Sequence, residues 1–122
     1  MNVEREITLD APPEEVWEAL TDPEQLEEWF ANDVEFDLER GGTFRWDDGD
    51  VRHAVVEEAV PERHLAIRWW GPDGREESEV TFTLVAVPAG TRLVVTETAS
   101  CDWAWGIQAL AHAGRRSLLS AV

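Results

Sequence analysis

Asp10-Ala11-Pro12-Pro13-Glu14-Glu15-Val16-Trp17-Glu18-Ala19-Leu20-Thr21-Asp22-Pro23-Glu24 is the stretch on which the fold turns. Ala11-Pro12-Pro13 cannot continue a strand, because proline has no N–H for the ladder. It can open a helix, whose first N–H groups lack intrahelical partners anyway. Val16, Trp17 and Leu20 then fall on one helical face. Asp22-Pro23-Glu24-Gln25 reads as a second start, with an Asp side chain to accept from free N–H groups, proline at the first position and Gln at the third. Leu26, Trp29 and Phe30 form the apolar stripe of that second helix. Two short consecutive helices are therefore expected here.

What flanks this pair is of a different kind. On its N-terminal side Val3, Ile7 and Leu9 alternate with Glu4, Glu6 and Thr8, the period of a half-buried strand, with Arg5 on the apolar side. On its C-terminal side strands dominate. Val34, Phe36 and Leu38 alternate with acidic residues, and Gly41-Gly42 marks a turn where positive φ is cheap. Thr43 to Trp46 reads as a strand, and Asp47-Asp48-Gly49-Asp50 as a turn. Val51 to Val60 and Leu65 to Trp70 are strand-like, joined through Pro61-Glu62-Arg63-His64, and Gly71-Pro72-Asp73-Gly74 is a further turn. Glu79 to Val87 should pair with Thr91 to Thr98 across Pro88-Ala89-Gly90. Within that hairpin Val80, Phe82 and Leu84 share a face, as do Leu93 and Val95. From Asp102 the period changes: Trp103, Ile107, Leu110, Gly114 and Leu118 recur at helical spacing. This predicts an amphipathic helix of about five turns, with Arg115 and Arg116 at the end that favours cations. An apolar sheet face needs a cover, and this is the only long element able to cross it. The expected fold is α+β: a curved antiparallel sheet of about seven strands, two short helices after the first, wrapped around a long C-terminal helix.

Composition supports one domain over residues 1–122. A chain of 122 residues buries roughly two-thirds of the surface its unfolded form exposes, so it needs no staple. Hydrophobic residues make up 43 %, seven of them Trp, which argues against disorder. Cys101 is the single cysteine, so no internal disulfide can form, as suits a reducing compartment. The opening Met1-Asn2-Val3-Glu4-Arg5 does not read as a signal peptide, and no apolar run approaches the roughly 20 residues that span a bilayer. A cytoplasmic location is expected. Acidic residues number 26 against 10 basic, for a net charge of −16, and every basic side chain is Arg. Such a surface favours solubility and repels nucleic acid and anionic membranes, so neither is an expected partner.

With these elements in place the sequence resembles the SRPBCC, or START-like, superfamily. The resemblance is carried first by Ala11 to Glu24. Trp29-Phe30, Gly41-Gly42-Thr43-Phe44, Pro61-Glu62-Arg63-His64-Leu65, Val80-Thr81-Phe82-Thr83-Leu84 and Gly90-Thr91-Arg92-Leu93 then follow in order. More closely, it is similar to the branch named after the activator of the heat-shock chaperone ATPase. The match covers about residues 4 to 98, and Trp103 with Trp105-Gly106 continues it in kind. The resemblance implies the helix-grip fold, in which members hold lipids, sterols, hormones or polyketides between sheet and helix. Some members are cyclases, and the namesake contacts its chaperone by protein surface. This sequence reads as one compact domain without the namesake's additional N-terminal domain.

The side chains themselves offer few reactive constellations. His53, His64 and His112 sit on a strand, a turn and a helix, and no two have metal-ligand spacing, so no metal or cofactor is expected. No nucleophile elbow or phosphate loop is present. Cys101 precedes a helix but has no identifiable base beside it, and reads as a plain thiol. Catalytic residues are therefore none. Glu97 shares a face with Leu93 and Val95 by alternation, and on a concave face it would point to the cavity mouth, where a carboxylate with a raised pKa could bind or protonate a ligand. Arg5 and Arg68 are comparable candidates. Trp17 and Trp29 read as core. Phe44, Trp46, Trp69, Phe82, Val95, Glu97, Trp103 and Ile107 are the residues expected to line a cavity. The leading expectation is a carrier or sensor of a small apolar ligand, as monomer or homodimer. A cyclase- or hydrolase-type enzyme using the same cavity is one alternative. A protein-interaction module with a filled core and a protein partner is the other.

Overall fold

A computed structural model describes residues 2–30, 33–39, 41–47, 51–70 and 77–98. Its elements run β1 Val3–Leu9, α1 Pro13–Thr21, α2 Pro23–Trp29, β2 Asp33–Phe36, β3 Thr43–Asp47, β4 Val51–Val60, β5 His64–Trp70, β6 Glu77–Val87 and β7 Gly90–Glu97. The helix expected over residues 102–122 lies outside the described residues.

The helical elbow follows from local chemistry. Pro12 has no side chain to cap α1, so its carbonyl alone starts the helix, accepting from Glu15 N–H at 3.0 Å and Val16 N–H at 3.2 Å. Asp22 serves both helices at once. Its N–H donates to the Glu18 carbonyl at 2.8 Å and closes α1, while its side chain accepts from Glu24 N–H at 3.0 Å and opens α2. The two helices are then pinned together by the Trp29 indole, whose Nε1–H donates to the Ala19 carbonyl at 2.9 Å in a buried setting. Val16, Trp17, Ala19, Leu20, Leu26 and Trp29 are all buried, so α1 packs on β6 and β7 and α2 packs on β2.

All strands belong to one antiparallel sheet of seven, in the order β1-β7-β6-β5-β4-β3-β2. From β2 to β7 it is a meander in which each strand pairs with its successor. The exception is β1, which pairs with the last strand. Gly90 permits that closure. Its backbone lies at φ +141, and a Cβ there would run into the Leu9 carbonyl and stand 2.8 Å from Ala11 N. Next to it, the buried Thr91 hydroxyl donates to the Ala11 carbonyl at 2.7 Å. At the other end Gly41, at φ +82, donates its N–H to the Val56 carbonyl at 2.8 Å and lays the β2–β3 connection on β4. The alternation of Val34, Phe36 and Leu38 suggested a longer strand than β2. The chain instead turns at Asp37, whose carboxylate accepts from Glu39 N–H at 3.2 Å and whose own N–H donates to the Thr43 carbonyl at 2.9 Å. The register of β4 and β5 shifts between Val56 and Glu58, a bulge that increases local twist and curvature.

Candidate functional site

Directly opposed residues on antiparallel neighbours share a sheet face, so the register alone assembles the inner surface. One row crosses from β1 to β4 as Val3, Glu97, Val80, Ile67 and Val56. On one side of it run Arg5, Val95, Phe82, Leu65 and Ala59. On the other run Ser78, Trp69, Ala54, Phe44 and Phe36, and beyond these Arg52, Trp46 and Val34. Leu65, Ile67, Val80, Phe82, Val95, Phe44, Trp46 and Trp69 on this face are all buried. The aromatic residues gather at the β2–β5 end. Phe36 stacks on Phe44 with centroids 4.3 Å apart, Phe44 meets Trp46 at 4.9 Å, and Trp46 meets Trp69 edge-on at 5.5 Å. Phe30 from the end of α2 joins them at 5.5 Å from Trp46.

Six of the residues expected to line a cavity, namely Phe44, Trp46, Trp69, Phe82, Val95 and Glu97, thus lie on one face of the sheet. Trp103 and Ile107 lie outside the described residues. Of the two arginines, Arg5 is on the inner face, diagonal to Glu97 across the β1–β7 pair. Arg68 is on the outer face, where it meets Glu57 at 3.5 Å and Glu77 at 3.2 Å. With side chains a third to a half exposed, those contacts are worth about 0–1 kcal/mol each, and Arg68 has no part in the inner surface.

Four polar groups, Glu97, Ser78, Arg52 and the Trp69 indole, interrupt the inner face toward the end where β6 starts and β7 stops. Glu97 is fully buried at 0 % exposure and Ser78 is buried at 2 %. Ser78 stands directly opposite Trp69 and diagonal to Glu97. The indole Nε1–H of Trp69 is buried and has no hydrogen-bond acceptor among the described residues. An unsatisfied buried donor of this kind costs about 1–3 kcal/mol. Arg52 lies over the Trp69 ring at 5.5 Å from its centroid. The lining is therefore apolar with a polar edge and not purely apolar. Ser78 and Arg52 were missed in the sequence. Ser78 could have been found by extending the alternation Leu84, Phe82, Val80 one step further back.

Among the described residues, two open clefts lie elsewhere. One of about 370 Å³ is lined by Gly41, Val55, Val56, Glu57 and Arg68, on the outer side of the β4 bulge. The other, of about 550 Å³, is lined by Pro13, Glu62, Arg63, His64 and Thr83 to Ala86. Neither includes Trp69, Ser78 or Glu97. Among the described residues no group of three or more His, Cys, Asp and Glu side chains could hold a metal ion, and no helix is long and apolar enough to cross a membrane.

A seven-stranded antiparallel sheet with two short helices inserted after the first strand, and a buried apolar inner face, defines a domain of the START-like, helix-grip class. The chain belongs to the family of Activator of Hsp90 ATPase homolog 1-like proteins, whose profile matches residues 10–119. A search of curated proteins found none that matches. Among solved structures it is similar to protein MLL2253 from Mesorhizobium loti, at 26 % identity and a TM-score of 0.84 over 95 % of this chain and 98 % of that one. CalU16 from Micromonospora echinospora is 28 % identical, with a TM-score of 0.74 over 96 % of this chain and 80 % of that one. PFC0360w, an Hsp90 activator from Plasmodium falciparum, is 25 % identical, with a TM-score of 0.71 over 81 % of this chain and 73 % of that one.

Proposed function

We propose that the chain binds a small, mostly apolar molecule against the inner face of its sheet. The observation that supports this reading best is the single face on which Phe44, Trp46, Trp69, Phe82 and Val95 lie together with the buried Glu97. A carboxylate fully withdrawn from water is costly among apolar neighbours, and such groups are concentrated where ligands bind. Aromatic walls with a few fixed polar groups are the usual make-up of a small-molecule site. In this reading the flat rings take the body of the ligand, and Glu97 with Ser78 fixes its orientation. The test is native mass spectrometry of freshly purified protein, followed by titration with Nile red. A retained mass of a few hundred daltons, or dye binding that Glu97→Gln alters while the melting curve is kept, is the expected result. Absence of both, with Phe44→Ala losing about 3–5 kcal/mol as a filled-core truncation does, would overturn it.

A second reading is favoured by the family and by the likeness to a Plasmodium Hsp90 activator. In it the chain docks on a chaperone of the Hsp90 class through its acidic exterior and raises its ATPase rate. Steady-state ATPase measurements with and without the full chain separate the two readings, since a ligand carrier leaves that rate unchanged.

A further inference from the structure

Trp69 carries a donor with nothing to donate to. Its Nε1–H is buried and unpartnered, while the other buried indole with a described bond, Trp29, reaches the Ala19 carbonyl at 2.9 Å. Native proteins leave few buried donors orphaned, and the exceptions call for an explanation. A trapped water needs two to four polar partners, and this end of the face offers Ser78 and Glu97 besides the indole, so a water there would mark the place that a ligand oxygen takes.

We infer that the molecule bound on the inner face carries an sp² oxygen, of the ketone, quinone or amide kind, which accepts a hydrogen bond from Trp69 Nε1. This rests on the small-molecule reading above and specifies its ligand. An indole N–H only donates, so the complementary group must accept. Flatness follows from the neighbours, because Trp46 stands edge-on at 5.5 Å and Phe44 lies across the small Ala54, which leaves broad ring surfaces on either side of a short side chain. The Nε1 atom has no exposed surface in the free protein. The acceptor therefore reaches it only once whatever covers that atom has been displaced.

The experiment compares 9-fluorenone with fluorene, two flat molecules of one shape that differ by the carbonyl. Both are titrated into the ¹⁵N-labelled full chain and into Trp69→Phe. The preference for fluorenone over fluorene should be about tenfold larger in the wild type than in the variant, the effect of one net hydrogen bond. The indole proton of Trp69 should move downfield with fluorenone and not with fluorene. If both bind and that resonance stays in place, or the preference survives in Trp69→Phe, this inference is wrong and the small-molecule reading stands. If neither binds, this inference falls, and the small-molecule reading is decided separately by the retained mass and the Nile red titration. Should Trp69→Phe not fold, the indole resonance of the wild type decides by itself.

Discussion

At Gly90 the chain has room for hydrogen and nothing larger. A Cβ would meet the Leu9 carbonyl and Ala11 N, and the φ of +141 is one that other residues rarely adopt. Gly90→Ala should therefore cost about 2–4 kcal/mol, combining backbone strain with the opening of the β1–β7 contact. Urea denaturation checks this as a lower midpoint at unchanged slope. Thr91→Val should cost about 1–3 kcal/mol, because the Ala11 carbonyl loses its buried donor. The two positions adjoin, so the double variant should lose less than the sum. Residues of this kind were only partly legible in the sequence. Counting in twos put Glu97 on the face of Val95 and Leu93, and the structure has it there. Arg68 was a candidate for the same cavity, but it alternates with the inward Ile67 and Trp69 and faces outward, where its partners Glu57 and Glu77 come from neighbouring strands whose register no local pattern fixes. Ser78 escaped because the strand expected from the sequence starts at Glu79, whereas β6 begins at Glu77. The missing acceptor of Trp69 was not readable at all, since hydrogen-bond satisfaction depends on atoms from every element around it.

Among the elements, the two helices were the most legible, because their signals are local. Proline at the first position and Asp22 at the boundary act through the nearest turn of chain. Asp22→Ala should cost about 0.5–2 kcal/mol, the usual effect of removing an N-cap, and fluorescence of Trp29 during unfolding should report it. Asp22→Asn should restore most of that loss, since an amide oxygen can accept from Glu24 N–H as the carboxylate does. The hairpins from β3 to β7 were legible for a similar reason: glycine, proline and aspartate punctuate them. The pairing of β1 with β7 was not, as nothing in Val3–Leu9 indicates whether it joins β2 or the far end of the sheet. The decision lies in Gly90 and Thr91, some 80 residues away.

For the molecule as a whole, charge governs what it meets. At −16, with acidic side chains on the outer ends of β1, β2 and β6, it should show no DNA or RNA binding at physiological salt. A shifted band at micromolar protein would contradict this. The same self-repulsion should make the melting temperature rise between low salt and about 0.5 M sodium chloride, because screening relieves it. The placement of β1 beside β7 has a further consequence, for birth on the ribosome. The first of these seven strands to emerge, β1, lies at the sheet edge, and its one neighbour among them is β7. At about 5–20 residues per second, Val3–Leu9 waits roughly 5–20 s before Gly90–Glu97 leaves the tunnel. The meander from β2 onward can form meanwhile, hairpin by hairpin. The N-terminal strand cannot, so its alternation of Glu4 and Glu6 with Val3 and Ile7 also keeps a nascent, unpaired edge soluble until its partner is synthesised.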